Sequence, residues 1–221
     1  MTEQKFLPAL RVQALTRFYD PIVGITTREA LFKRRLLEQV SPRPEQRILD
    51  LGCGTGTLAL LIKRSAPDIE LFGVDADPAM LLQAKAKARS DGHPDINFDV
   101  GLASELPYED GSFDQVVSTL FFHHLTTEVK RETAAEIARV LRPEGQLHIA
   151  DWGRASDPAM RALSLSIRLL DGFEPTRDNF IGRLPKVLEE GGLIDARLTG
   201  QLRTAFGTMA LYAARNRGEA G

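Results

Sequence analysis

Apolar residues recur along this chain in two periods, one near 3.6 and one near 2, and the two alternate. Leu7, Leu10, Ala14, Leu15 and Phe18 fall three to four residues apart, which predicts a helix over residues 5–19, broken by Asp20-Pro21. A second helix is predicted over 27–40, ahead of Pro42 and Pro44. Short apolar strands then alternate with helical stretches. Strands are expected at 47–51, 70–74, 96–100, 115–119 and 146–150, and helices at 57–65, 78–90 and 127–141. Further on, 155–170 and 180–190 read as helices, 193–198 and 208–213 as closing strands, and the last six residues as a frayed end. Strands that are apolar throughout and separated by helices predict an α/β fold, a mostly parallel sheet covered on both faces.

Composition narrows the class. The 221 residues are 43% hydrophobic and 26% charged with a net charge of −2, which is globular usage and offers nucleic acid no general attraction. No apolar run reaches 18 residues, and Met1 to Lys5 show an early acid and no apolar signal core, so a cytoplasmic protein without an integral membrane segment is expected. A single cysteine excludes an internal disulfide, and no His/Asp/Glu set shows metal-ligand spacing, so no metal is expected. No linker divides the chain, so one domain is expected over 1–221. Within it, 1–44 form a helical cap, 45–152 a core, 153–180 a helical lid and 181–221 a closing helix and strands.

The most informative segment is Ile48-Leu49-Asp50-Leu51-Gly52-Cys53-Gly54-Thr55-Gly56, a strand running through glycines into a helix. Glycines allow a sharp turn and a close approach of backbone to a ligand, and the helix that follows offers unpaired N–H groups. Asp75 ends the second strand 19 residues beyond Gly56, where an acid can hold a ribose diol. The combination points to a nucleoside cofactor. The glycine spacing differs from the dinucleotide fingerprint G-x-G-x-x-G, which disfavours NAD. Cys53 lies in the loop next to a helix N-terminus, where a thiol can be activated or can simply fill a tight turn.

With that loop, the chain resembles the class I S-adenosylmethionine-dependent methyltransferases, in the branch of the ubiquinone/menaquinone C-methyltransferases. The resemblance continues through Leu106-Pro107-Tyr108-Glu109-Asp110-Gly111-Ser112-Phe113-Asp114, Phe122-His123-His124-Leu125 and Ile137 to Leu147. It implies a Rossmann-like, doubly wound, seven-stranded sheet with an antiparallel last strand, S-adenosylmethionine as cofactor and a small-molecule acceptor. Asp50 would approach the cofactor's amino group, and Gly52, Cys53, Gly54 and Gly56 would wrap its methionine part. Asp75 would accept from the ribose hydroxyls. Ala76, Met80, Leu102 and Ala103 would surround the adenine, with Thr119, Leu120 and Phe121 beneath the sulfonium. The branch usually places an acid at the position of Leu102, so adenine is expected to be held by apolar contact and main chain.

Methyl transfer needs an aligned acceptor and, for some acceptors, a base. His123 and His124, after the fourth strand, and Asp151, after the fifth, are the candidates; His93 and His148 read as structural. Phe18, Tyr19, Met160, Leu163 and Ile167 are candidate lid residues over an apolar or aromatic acceptor. The Asn/Asp-Pro-Pro-aromatic and Pro-Cys motifs of nucleic-acid methyltransferases are absent from this chain. Two other readings remain open: a non-catalytic binder or sensor of S-adenosylmethionine or S-adenosylhomocysteine, and an NAD-dependent oxidoreductase.

Overall fold

The computed structural model describes residues 28–218; Phe18, Tyr19 and the helix expected over 5–19 lie outside them. Helix α1 (Glu29–Val40) leads into β1 (Arg47–Leu51), α2 (Thr57–Ser65), β2 (Glu70–Asp75), α3 (Pro78–Ser90), β3 (Asn97–Val100) and β4 (Phe113–Thr119). After a short 3₁₀ turn, Phe122–His124, come α4 (Thr127–Val140), β5 (Leu141–Trp152), α5 (Pro158–Asp171), α6 (Arg177–Ile181), α7 (Leu184–Glu190), β6 (Ile194–Thr204) and β7 (Gly207–Arg215).

The seven strands form one sheet in the order β3-β2-β1-β4-β5-β7-β6. Pairing is parallel from β3 across to β5, and β7 runs antiparallel to both β5 and β6. The chain winds outward one way from β1 through β3 and the other way from β4, so the strand order reverses between β1 and β4. Ligand crevices open at such a reversal, past the carboxyl ends of the strands.

Alternation along β1 sorts its side chains. Ile48 joins one apolar cluster with Phe32 and Leu36 of α1 and Ile62 of α2. Leu49 and Leu51 join the other, with Ile137 of α4 and Leu188 of α7. Asp50 therefore faces the first cluster, a polar group on an apolar face. Gln39 of α1 ties that layer to the far strands: its amide donates to the Tyr212 carbonyl at 2.9 Å and meets His148 Nδ1 at 3.0 Å. His148, buried at this contact, helps to hold α1 on β5.

Boundaries shifted where tertiary pairing overrides local signals. The fifth strand was expected at 146–150 but spans Leu141–Trp152, because the ladders to β4 and β7 extend it at both ends. Asp151, expected after that strand, therefore lies within it, paired with Ala210. The helix expected over 180–190 is two helices, interrupted at Gly182 (φ +78°). At α5, Asp157 caps the first turn by accepting from the Met160 N–H at 3.0 Å, and Pro158 occupies the first helical position.

Gly191 marks where α7 presses on α4. A Cβ there would stand 2.4 Å from Ala134 Cβ and 2.7 Å from the Arg131 carbonyl oxygen. Backbone cannot yield as a flexible side chain does, so Gly191→Ala should cost about 1–3 kcal/mol. Urea unfolding reads this as a lowered midpoint; an unchanged midpoint would show that the two helices separate freely.

Candidate functional site

A cavity of about 580 Å³ opens at the carboxyl ends of β1, β2 and β4, where the strand order reverses. The glycine loop forms one wall. Gly52, Gly54 and Gly56 all have positive φ, at +66°, +53° and +74°. At Gly52 the space is decisive as well: a Cβ would lie 2.4 Å from the Phe121 ring. That ring and the loop backbone close on each other across the floor of the cavity. Leu120, next to it, has φ +52°, a left-handed conformation that costs a branched residue energy and is held here by its N–H bond to the Ala150 carbonyl at 2.9 Å. Gly56 does not line the cavity; its missing Cβ makes room for Ala84 and Phe98, 3.0 and 3.1 Å away.

Asp75 braces the loop. One carboxylate oxygen accepts from the Gly54 N–H at 2.9 Å and the other from the Asp77 N–H at 2.9 Å. Burial raises its pKa above the ordinary value of 3.8, and those N–H groups oppose the rise. Each oxygen keeps a further acceptor site for a hydroxyl, and Asp75 is on the cavity wall. Lys87 of α3 holds the loop from outside, donating to Thr55 Oγ1 at 2.8 Å.

Asp50 stands behind the wall, 1% exposed. Neither carboxylate oxygen makes a hydrogen bond of ordinary geometry. Burial raises its pKa from 3.8 to about 7; the Lys33 ammonium and the Ala59 backbone oppose the rise, and Asp75 adds to it. Lys33 itself lines the cavity and pairs with Glu29. Nothing in the sequence singled out Lys33 or Glu29, since they sit in an ordinary helical stretch 15 or more residues before the motif.

Cys53 lines the cavity yet is packed into the core, its Sγ 3.0 Å from where a Cβ on Gly73 would be. Burial pushes its thiol well above the ordinary range, and Asp50 and Asp75 push it further. The packing role of this residue prevails over activation by the helix terminus. Ala76, Met80, Leu102 and Ala103 line the end of the cavity beyond Asp75. Asp99, near this end, is occupied with the Tyr108 hydroxyl at 3.1 Å and is not on the wall.

Thr119, Leu120, Phe121 and His124 line the other end. His124 is kept neutral: burial, then the neighbouring His123, lower its pKa to about 3. His123, 3% exposed, is behind the wall. Its Nδ1 meets Asp151 Oδ1 at 2.6 Å, and its backbone N–H donates to Asp151 Oδ2 at 3.1 Å. Burial would raise the pKa of Asp151, but His123 and the Trp152 N–H hold it below the ordinary value. The three candidates for chemistry thus form one cluster with a single member, His124, on the cavity.

The lid stripe is placed differently. Met160, Leu163 and Ile167 do not line the cavity; α5 rests on β7, with Ser164 against Gly207. The segment after it, through Glu174 and Pro175, reaches the cavity instead. It is anchored by Lys130, wholly buried in α4, which donates to the Pro175 carbonyl at 2.7 Å and lies 3.5 Å from Asp178 Oδ2. A second, polar cleft of about 350 Å³ lies at the opposite end of the sheet, lined by Arg43, Asp114 and Arg142 among others, and Arg142 there is paired with Asp114. Among the described residues no helix is long and apolar enough to cross a membrane.

Residues 48–145 match the family described as the methyltransferase domain. The seven-stranded, mostly parallel sheet is a Rossmann-like fold, of the kind seen in methyltransferases of known structure. The chain is 36% identical over 121 residues to a demethylmenaquinone methyltransferase of Thermus thermophilus, covering 55% of this chain and 54% of that one. It is 32% identical over 125 residues to the uncharacterized methyltransferase YcgJ of Bacillus subtilis, covering 57% of this chain and 48% of that one. The YcgJ crystal structure superimposes with a TM-score of 0.65 at 21% identity, over 84% of this chain and 97% of that one. A phosphoethanolamine N-methyltransferase of Haemonchus contortus, solved with S-adenosyl-L-methionine, superimposes with a TM-score of 0.70 at 17% identity, over 90% and 56%. The chain spans about half the length of the curated relatives it matches.

The unpartnered Asp50 carboxylates give a direct energetic test of the site. In the folded protein Asp50 holds its proton up to about pH 7, whereas in the unfolded chain it ionises near 3.8. Stability without ligand should therefore fall as pH rises from 4 to 7, by up to about 1.4 kcal/mol per unit from this residue. Asp50→Asn should remove that slope and be the more stable protein at pH 8. Equal pH dependence in urea unfolding of the two proteins would refute it.

Proposed function

We propose that the protein transfers a methyl group from S-adenosylmethionine to a small apolar or aromatic acceptor. The observation that carries this reading is the cavity at the sheet's reversal point, with a braced acid, Asp75, and an unpartnered buried acid, Asp50, beside one glycine loop. Bound there, the cofactor supplies an electrophilic methyl group on a sulfonium.

The residues fit that cofactor. Asp75, already aligned by Gly54 and Asp77, accepts from a ribose diol without having to reorganise. Asp50 is a buried carboxylate awaiting a cation, and an ammonium nearby would favour its ionised form. Leu102 and Ala103 give the base an apolar edge, with no carboxylate at the Leu102 position. Phe121, pressed on Gly52, separates this half of the cavity from the acceptor half. There Leu120, Leu125, Val129 and Pro175 offer apolar surface and exclude water. His124 is the imidazole that meets the acceptor, and Asp151 positions His123 behind it. The similarity to proteins named demethylmenaquinone methyltransferases supports an apolar acceptor.

Calorimetric titration with S-adenosylmethionine, S-adenosylhomocysteine and NAD tests the donor. Micromolar binding of the first two alone is expected, weakened by more than about tenfold, or 1.4 kcal/mol, in Asp75→Ala. Tight NAD binding, or binding of none of the three, would overturn the reading. Binding without turnover on a panel of quinols, phenols and amines would leave a sensor in its place.

Leu102→Asp should tighten S-adenosylmethionine binding by about tenfold, since a carboxylate there could accept from the adenine amino group. An unchanged constant would show that another acceptor already satisfies that group.

A further inference from the structure

We propose that His123, His124 and Asp171 form a binding site for a divalent transition-metal ion at the acceptor end of the cavity. These residues are 48 positions apart at the extremes and come from two elements, the 3₁₀ turn after β4 and the last residue of α5. Among the described residues, this is the group of side chains whose potential ligand atoms gather, all within 4.8 Å of one another.

The separations suit an ion better than a direct contact. His123 Nε2 stands 3.6 Å from Asp171 Oδ2. A charge-assisted hydrogen bond would close to about 2.7–2.9 Å, whereas two atoms each about 2.1 Å from one tetrahedral ion stand about 3.4 Å apart. The two imidazoles are neighbours, with centroids 3.9 Å apart and planes tilted by 41°. His124 and Asp171 are both only partly buried, which leaves their side chains room to adjust around an ion.

The surroundings supply what a metal ligand requires. Asp151 takes His123 Nδ1 at 2.6 Å, which leaves Nε2 as the ring's free lone pair, directed to Asp171. Such a carboxylate behind a ligating histidine fixes tautomer and ring orientation. Two imidazoles and one carboxylate are a donor set for zinc, cobalt or iron(II) rather than for magnesium or calcium. Three protein ligands leave at least one position open, and His124 places it on the cavity wall. The ion would thus present an open position to an oxygen or nitrogen of the acceptor. It would also fasten α5, whose Leu169 and Leu170 are 71% and 81% exposed, to the core immediately before Glu174 and Pro175 reach the cavity.

This inference does not rest on methyl transfer, and its test is separate. Untagged protein, stripped with chelator, is titrated with Co²⁺ alone and followed by the visible d–d absorption of the bound ion. One Co²⁺ per chain is expected, displaced by one equivalent of Zn²⁺. Asp171→Asn should weaken Co²⁺ by at least about tenfold while keeping the far-UV circular dichroism and the metal-free urea-unfolding midpoint of the wild type, which shows that it is folded. Asp151→Asn, which disturbs the ring without removing a ligand, should weaken Co²⁺ by about 10–100-fold. Absence of stoichiometric Co²⁺, or equal Co²⁺ affinity in Asp171→Asn and wild type, would overturn the site.

Discussion

The contact between Gly52 and Phe121 sets the geometry on which the rest of this site depends. A ring lies where any side chain at position 52 would have to be. Two consequences follow. The loop leaves β1 in a left-handed turn that only glycine adopts without strain, and the chain after β4 is forced into the strained conformation of Leu120. The cavity is therefore divided at its floor, with the glycine loop and Asp75 on one side and His124 on the other. Asp75 then locks the loop through Gly54, so protein contacts alone fix its curvature.

Buried charge is the second organising feature. Asp50, Asp151, Asp178 and Lys130 are each almost wholly out of water. They differ in how they are satisfied. Asp151 has His123 and backbone N–H groups, and Lys130 has the Pro175 carbonyl as well as Asp178. Thr127 donates to Asp178 at 2.6 Å. Those partners make the 172–178 segment a fixed wall rather than a loose loop. Asp50 alone lacks partners on both oxygens, and desolvation then dominates its protonation. A group left this way in a close-packed core calls for a physical account, and the cation proposed beside Asp50 supplies one.

Much of the core was readable from local pattern. Strands β1, β2, β3 and β4 and helices α2 and α3 carry their own signals: short apolar runs, capping residues and prolines. The glycine loop was legible because a close backbone approach demands glycine, and glycine is visible in a sequence. Asp75 was legible because the length of one helical crossover places it. The long β5, the split of the expected 180–190 helix and the burial of Cys53 were not. The first depends on ladders to β4 and β7, the second on Gly182 within a polar turn, and the third on the side chain packing against Gly73.

The sequence by itself determined the alternating architecture, the single cysteine's inability to form an internal disulfide, and the glycine–acid pair on one wall of the cavity, because these rest on spacing along the chain. Only the tertiary structure decided what the rest of the cavity and its surroundings bring together. Lys33 reaches the cavity from α1, Lys130 grips a carbonyl 45 residues away, and Asp171 meets His123 across 48 residues. Such encounters are set by how helices pack on a twisted sheet. No local period records which distant side chains that packing brings together.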